Sequence, residues 1–196
     1  MLGEIHSSIE LDSYGLVIEN DGLNYLEEGD NWRESFRKVI ENMRDITEER
    51  WESPPELDIN TGKLIEELPQ KPTPRLIHSD NRLENVLIRE GGIAGFTRSG
   101  DAMYDLARAE YMLIDYDLKL AGRTEEKLDR FREALLEGYR EENTVEGYES
   151  RRQVYRFITV LWIVAGFPKW SSDWSEERRE EFRQELLERL EKEKPV

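Results

Sequence analysis

The sequence predicts an α+β chain that is predominantly α, with helices gathered around one small β-hairpin. Apolar residues recur at three- and four-residue intervals through most of its 196 residues, the spacing of amphipathic helices. Two short runs, NVLIR (85–89) and GIAGFT (92–97), have β character, and the Gly91-Gly92 pair between them marks a tight turn. The segment PQKPTP (69–74) holds three prolines, which fix the backbone in an extended form and remove donors.

From the N-terminus, Leu2, Ile5 and Ile9 stand at helical spacing and read as the end of a helix. SYGLVIENDGLNYLEEGDN reads as a loop, broken by Gly15, Gly22 and Gly29. NWRESFRKVIENMRDITEERW (31–51) is an amphipathic helix with Trp32, Phe36, Val39, Ile40 and Met43 on its apolar face and Asn31 as N-cap. TGKLIEEL (61–68) is a short helix, and Arg75 to Ile77 a short strand fed by the proline segment. Helices follow over 102–120, 124–142 and about 145–167, the last apolar nearly all round and therefore central. A final helix over 173–194 opens with Asp173 and Glu176 in capping-box spacing. A single domain covers 1–196, with a loop at 75–90, a hairpin at 85–97 and a helical part at 102–194.

Composition narrows the function classes. The chain has 44 acidic and 28 basic residues, a formal charge of -16, so neither nucleic acid nor an anionic membrane surface is an expected partner. Its cations are 20 Arg and only 8 Lys, which together with the excess carboxylate suits a protein kept soluble by strong salt; a salt-loving source and an ordinary acidic bacterial protein are both open. With no cysteine and two histidines, His6 and His78, disulfides, thiolate chemistry and His/Cys metal centres are unsupported. No G-x-S-x-G elbow is present. No secretory signal is visible, and the apolar run FITVLWIVAGF (157–167) is too short for a bilayer. A soluble cytoplasmic protein is expected.

The chemistry concentrates in RLIHSDNRLENVLIREGGIAGFTRSGDAMYDLA (75–107). His78, Asp80 and Asn85 form H-x-D-x-x-x-x-N between a strand and a hairpin. Phosphoryl transfer needs a carboxylate to orient and deprotonate an acceptor hydroxyl, and an oxygen ligand nearby for magnesium. An Asp and an Asn five residues apart at one loop mouth supply both.

With its flanks, including GDAMYDLA (100–107), this stretch resembles the phosphotransferase family of aminoglycoside kinases and choline-kinase-like enzymes, whose fold is protein-kinase-like. The resemblance implies the C-terminal lobe of that fold. It makes Asp80 the catalytic base, Asn85 a magnesium ligand, His78 a brace of the loop and Asp105 a structural residue beneath it. Magnesium and ATP are the cofactors it implies for an active member.

Two departures stand against activity. The family carries a second metal-binding Asp about thirteen residues beyond the Asn; counting from Asn85 lands on Arg98, and the stretch up to YDLA is several residues short, so the acid is either substituted or deleted. A guanidinium cannot bind a cation and repels one nearby; it can touch a phosphate or pair with a carboxylate. Asp101 is the candidate substitute ligand. Nothing before residue 75 reads as a glycine-rich strand-turn-strand or as the rest of a nucleotide-covering lobe.

Three readings follow. The first is a degenerate, pseudokinase-type binding or assembly lobe, with no cofactor and with a homodimer or a separate nucleotide-lobe-like chain as partner. The second is an active ATP-dependent phosphotransferase completed by another chain or by an unusual nucleotide site. Its acceptor would be a hydroxyl on a cationic amino sugar or amino alcohol, drawn by carboxylates such as Glu84, Asp101, Asp115 and Asp117. The third is a helical assembly protein with Phe167, Trp170 and Trp174 as a contact surface, against which stands their packing on the last helix.

Overall fold

The computed structural model describes residues 2–19, 23–57, 59–78, 87–89, 92–94, 98–119 and 121–195. The chain divides into two compact units, one formed by residues 1–32 and 69–152, the other by 33–68 and 153–196. Among the described residues no helix is long and apolar enough to cross a membrane.

The first unit begins with helix α1 (Leu2–Ser8). The segment expected as a loop is instead two strands, β1 (Tyr14–Glu19) and β2 (Leu23–Gly29), paired antiparallel. Two of the glycines that suggested breaks, Gly15 and Gly29, serve the pairing. Gly15 has φ 144° and lies where the β1–β2 register shifts between Tyr14 and Leu16, a bulge position that glycine fills without strain. Tyr14 then pairs with Gly29.

Strands β3 (Pro74–Ile77) and β6 (Arg98–Asp101) complete a four-stranded antiparallel sheet of order β2-β1-β6-β3. The first unit therefore carries this sheet in addition to the expected hairpin. RSGD has little β propensity of its own; it is a strand because small residues are needed between two neighbours. A methyl group on Gly100 would lie 2.6 Å from Ile77 Cδ1 and 2.9 Å from Trp32 Cη2, and Ser99 Oγ donates to the Ser13 carbonyl. The expected hairpin of 85–97 is present in its described part as β4 (Leu87–Arg89) and β5 (Gly92–Ala94), a separate antiparallel pair.

Strand β6 runs directly into helix α4 (Ala102–Ala109), which continues as a π-helical segment, Glu110–Leu118, where an unbroken α-helix was expected. At the junction the Glu110 carboxylate is fully buried. It accepts hydrogen bonds from Tyr148 Oη at 2.5 Å and Arg152 Nε at 2.8 Å, so its charge is compensated where solvent cannot reach it. Helix α5 (Glu125–Arg140) follows.

In the second unit, α2 (Trp32–Arg50) buries Phe36, Ile40 and Met43 along one face, as its periodicity implied. Each fully buried side chain of this kind contributes about 2 kcal/mol. Asn60 caps α3 (Thr61–Glu66) by accepting the Lys63 amide at 3.0 Å. Helix α6 (Tyr148–Trp170) extends beyond the expected end because it tolerates Pro168 in its last turn. Proline cannot donate to the carbonyl four residues earlier, and that carbonyl, Val164 O, accepts the Trp51 indole N–H at 3.1 Å instead.

Helix α7 (Glu176–Glu193) starts later than the capping-box spacing suggested: its N-cap is Ser175, which accepts the Arg178 amide at 3.4 Å, not Asp173. Phe167, Trp170, Trp174 and Phe182 form one aromatic cluster with ring centroids 5.1 to 6.4 Å apart.

Candidate functional site

Strand β3 delivers the chain to His78, and residues 78–86 connect it to β4. The backbone amide of His78 donates to Asp105 Oδ2 at 2.9 Å. Asp105 lies in the first turn of α4, a place where a carboxylate is favoured by the helix dipole. The YDLA segment thus holds the backbone at His78, whereas the resemblance implied that its aspartate fixes the helix. Asp80 and Asn85, the candidate base and magnesium ligand, lie outside the described residues, as does Glu84.

Asp105 is itself held. His6 Nε2 lies 3.2 Å from the same Oδ2, and His6 Nδ1 lies 2.9 Å from Tyr139 Oη. His6 and Asp105 are fully buried. Burial, then the charge of Asp105, pushes the Tyr139 hydroxyl far above the ordinary tyrosine range, with Asp101 adding to the shift and Arg75 opposing it. Neither His6 nor Tyr139 was singled out from the sequence. A histidine at helical spacing from Leu2 and Ile9 was the available signal for the first.

Arg98 and Asp101 stand at opposite ends of β6. Arg98 is exposed, and in register it opposes Ile77 on one side and Leu16 on the other. Asp101 is buried. Its Oδ1 caps α4 by accepting the Met103 amide at 3.0 Å, and its Oδ2 lies 2.6 Å from Arg151 Nη1. Both oxygens are engaged in holding the fold. Asp115, another candidate from the sequence, accepts a hydrogen bond from Arg132.

Magnesium with ATP is the cofactor pair that the family implies; its expected ligand Asn85 lies outside the described residues, and Asp101 is the candidate ligand within them. Among them no group of three histidine or acidic side chains stands ready to hold a metal. The carboxylate of Asp101 is already bound by a cation and an amide, and the residue three positions earlier, Arg98, is itself a cation.

In comparison with known proteins, the model described as the Phosphotransferase enzyme family matches residues 16–154, more than two thirds of the chain. No curated protein matches it. The matched span contains H-x-D-x-x-x-x-N at 78–85, the YDLA at 104–107 and the His78–Asp105 contact that joins them. This predominantly helical α+β chain, built as the C-terminal lobe of a protein-kinase-like fold, belongs to the phosphotransferase enzyme family.

Proposed function

We propose that this chain is a degenerate member of the family, a pseudokinase-type lobe that binds a small molecule or a protein without transferring phosphate. The observation that carries this reading is the state of Asp101. It is the one acid between Arg98 and α4, and its two oxygens are committed to Met103 and Arg151. Moving it onto a metal would cost the helix cap, about 1 kcal/mol, and would strip Arg151 of a charge-assisted partner worth a further 1.5–3 kcal/mol or so. Arg98 supplies a positive charge where a metal-binding family member carries a negative one. A second copy of the chain, or a separate chain shaped like a nucleotide lobe, is the partner in this proposal, and an amino sugar or amino alcohol is the cationic ligand.

Calorimetric titration with ATP, with and without magnesium, at low and high KCl, tests it. The expected result is no magnesium-dependent heat. Magnesium-dependent ATP binding overturns the proposal in favour of the active phosphotransferase. That second reading is supported by the anchoring of the His78 amide on Asp105 at 2.9 Å, two residues before Asp80 in the sequence. It requires turnover on a cationic acceptor, abolished by Asp80→Ala.

A further inference from the structure

One buried chain of contacts in the first unit runs through three helices to the loop: Tyr139 on α5, His6 on α1, Asp105 on α4, then the amide of His78. A histidine with both ring nitrogens engaged and no solvent has few ways to place its proton. The Tyr139 hydroxyl keeps its proton, since burial and the neighbouring carboxylate disfavour its anion. Its hydrogen-bond partner in this contact is His6 Nδ1 at 2.9 Å, and in the arrangement where Oη donates, Nδ1 carries no hydrogen. The ring proton then sits on Nε2 and points at Asp105 Oδ2, 3.2 Å away. That oxygen also accepts the His78 amide.

The backbone supports the arrangement independently. Gly3 lies three residues before His6, on the same face of α1, and a methyl group there would stand 3.0 Å from the Tyr139 carbonyl. Glycine at this position lets α1 approach α5 closely enough for the ring to meet the hydroxyl. The rings meet edge to face, centroids 5.7 Å apart.

We propose that His6, held with its ring hydrogen at Nε2, is a positioning residue for His78, where strand β3 hands the chain to the segment whose sequence carries Asp80. It orients the Asp105 carboxylate so that one oxygen receives both the imidazole and the His78 amide, and residue 78 is thereby fixed two positions before Asp80. The ionisable groups around the ring are Asp105 on α4 and Tyr139 on α5, with Arg75 on β3 and Asp101 at the start of α4 acting on the Tyr139 end. This holds whether the loop binds or transfers, and it is read in the free chain without ATP or any other ligand.

The test is nitrogen NMR of the 15N-labelled protein together with amide exchange at His78. His6, assigned by its loss in His6→Gln, should show a hydrogen on Nε2 and none on Nδ1. His6→Ala should speed exchange of the His78 amide by about ten-fold or more, while amides in the middle of α7 keep their rates. His6→Gln, which retains a donor toward Asp105, should bring the rate back to within about three-fold of the parent. A hydrogen on Nδ1, or a His78 amide indifferent to His6→Ala, overturns the proposal. Should His6→Ala fail to fold, Tyr139→Phe serves: Nδ1 loses its hydrogen-bond partner, and the His78 amide is expected to exchange faster than in the parent at the same pH, an unchanged rate overturning the proposal.

Discussion

Arg151 Nη1 lies 2.6 Å from Asp101 Oδ2 while Asp101 Oδ1 accepts the Met103 amide, so a single buried carboxylate starts α4 and holds the side chain of residue 151. Asp101→Ala removes a cap and leaves a mostly buried guanidinium without its acid. Urea unfolding should show a loss of about 2–4 kcal/mol. Asp101→Asn keeps an acceptor for Met103 and should lose about half as much. Equal losses would mean that the cap contributes little.

Gly100→Ala tests the close approach within the sheet. The added methyl meets the Ile77 side chain and the flat ring of Trp32; the first can rotate away and the second cannot. A destabilisation of about 1–3 kcal/mol is expected. The Trp32→Phe background should recover part of it, because the clash on that side involves the outer six-membered ring of the indole.

Alkaline stability should fall in a defined window. Tyr14, whose hydroxyl donates to the Pro72 carbonyl at 2.5 Å, is raised from 10 to about 12 by burial first and then by Asp101 and Asp30. Tyr139 and Tyr148 shift in the same direction, Tyr148 through burial and then the charge and hydrogen bond of Glu110, with Arg152 opposing. The folded chain therefore holds these protons more tightly than the unfolded chain. Their contribution is complete below pH 10 and declines as pH rises from 10 toward 12. Tyr14→Phe should flatten that decline in a pH series of urea unfolding curves, and an unchanged slope would refute the assignment.

Trp170→Ala distinguishes packing from contact. Trp170 lies against Phe167, Trp174 and Phe182 at centroid distances of 5.1 to 5.7 Å. A stability loss of about 2–3 kcal/mol with no change in sedimentation is expected. Altered association at unchanged stability would restore these aromatics as a docking surface.

Salt should stabilise the protein. Many of its ion pairs are exposed and weaken when screened, but an excess of 16 negative charges repels itself over the whole surface. The second effect is the larger, so the melting temperature should rise from low to multimolar KCl. An unchanged melting temperature removes the halophilic reading.

The helices were legible because burial imposes a 3.6-residue stripe on the sequence, as Phe36, Ile40 and Met43 show. The short strand at 75–77 and the hairpin pair β4–β5 were legible from β-branched runs and turn residues. β6 was not, since Arg98 to Asp101 adopts its strand to fit between β1 and β3 and carries no signal of its own. β1 and β2 were hidden by glycines that local reading counts as breaks and the sheet uses at a bulge. The motif residues His78 and Asp105 could be named from the family resemblance of the stretch that holds them. Their link to His6 and Tyr139 could not, because partners 99 and 133 residues apart meet only through packing.

The π-helical segment has a consequence for how the chain counts its own residues. In an α-helix, side chains five apart diverge by about 140° at about 100° per residue; with i→i+5 winding they come nearly into line. Glu110 and Asp115 are five apart, and Arg132 reaches both, with Nε 3.7 Å from Glu110 and Nη2 bound to Asp115. That guanidinium acts as a gauge of the winding. Rewinding the segment to α geometry with its length kept would swing these two acids about 140° apart, and the gauge would register the change by releasing one of them.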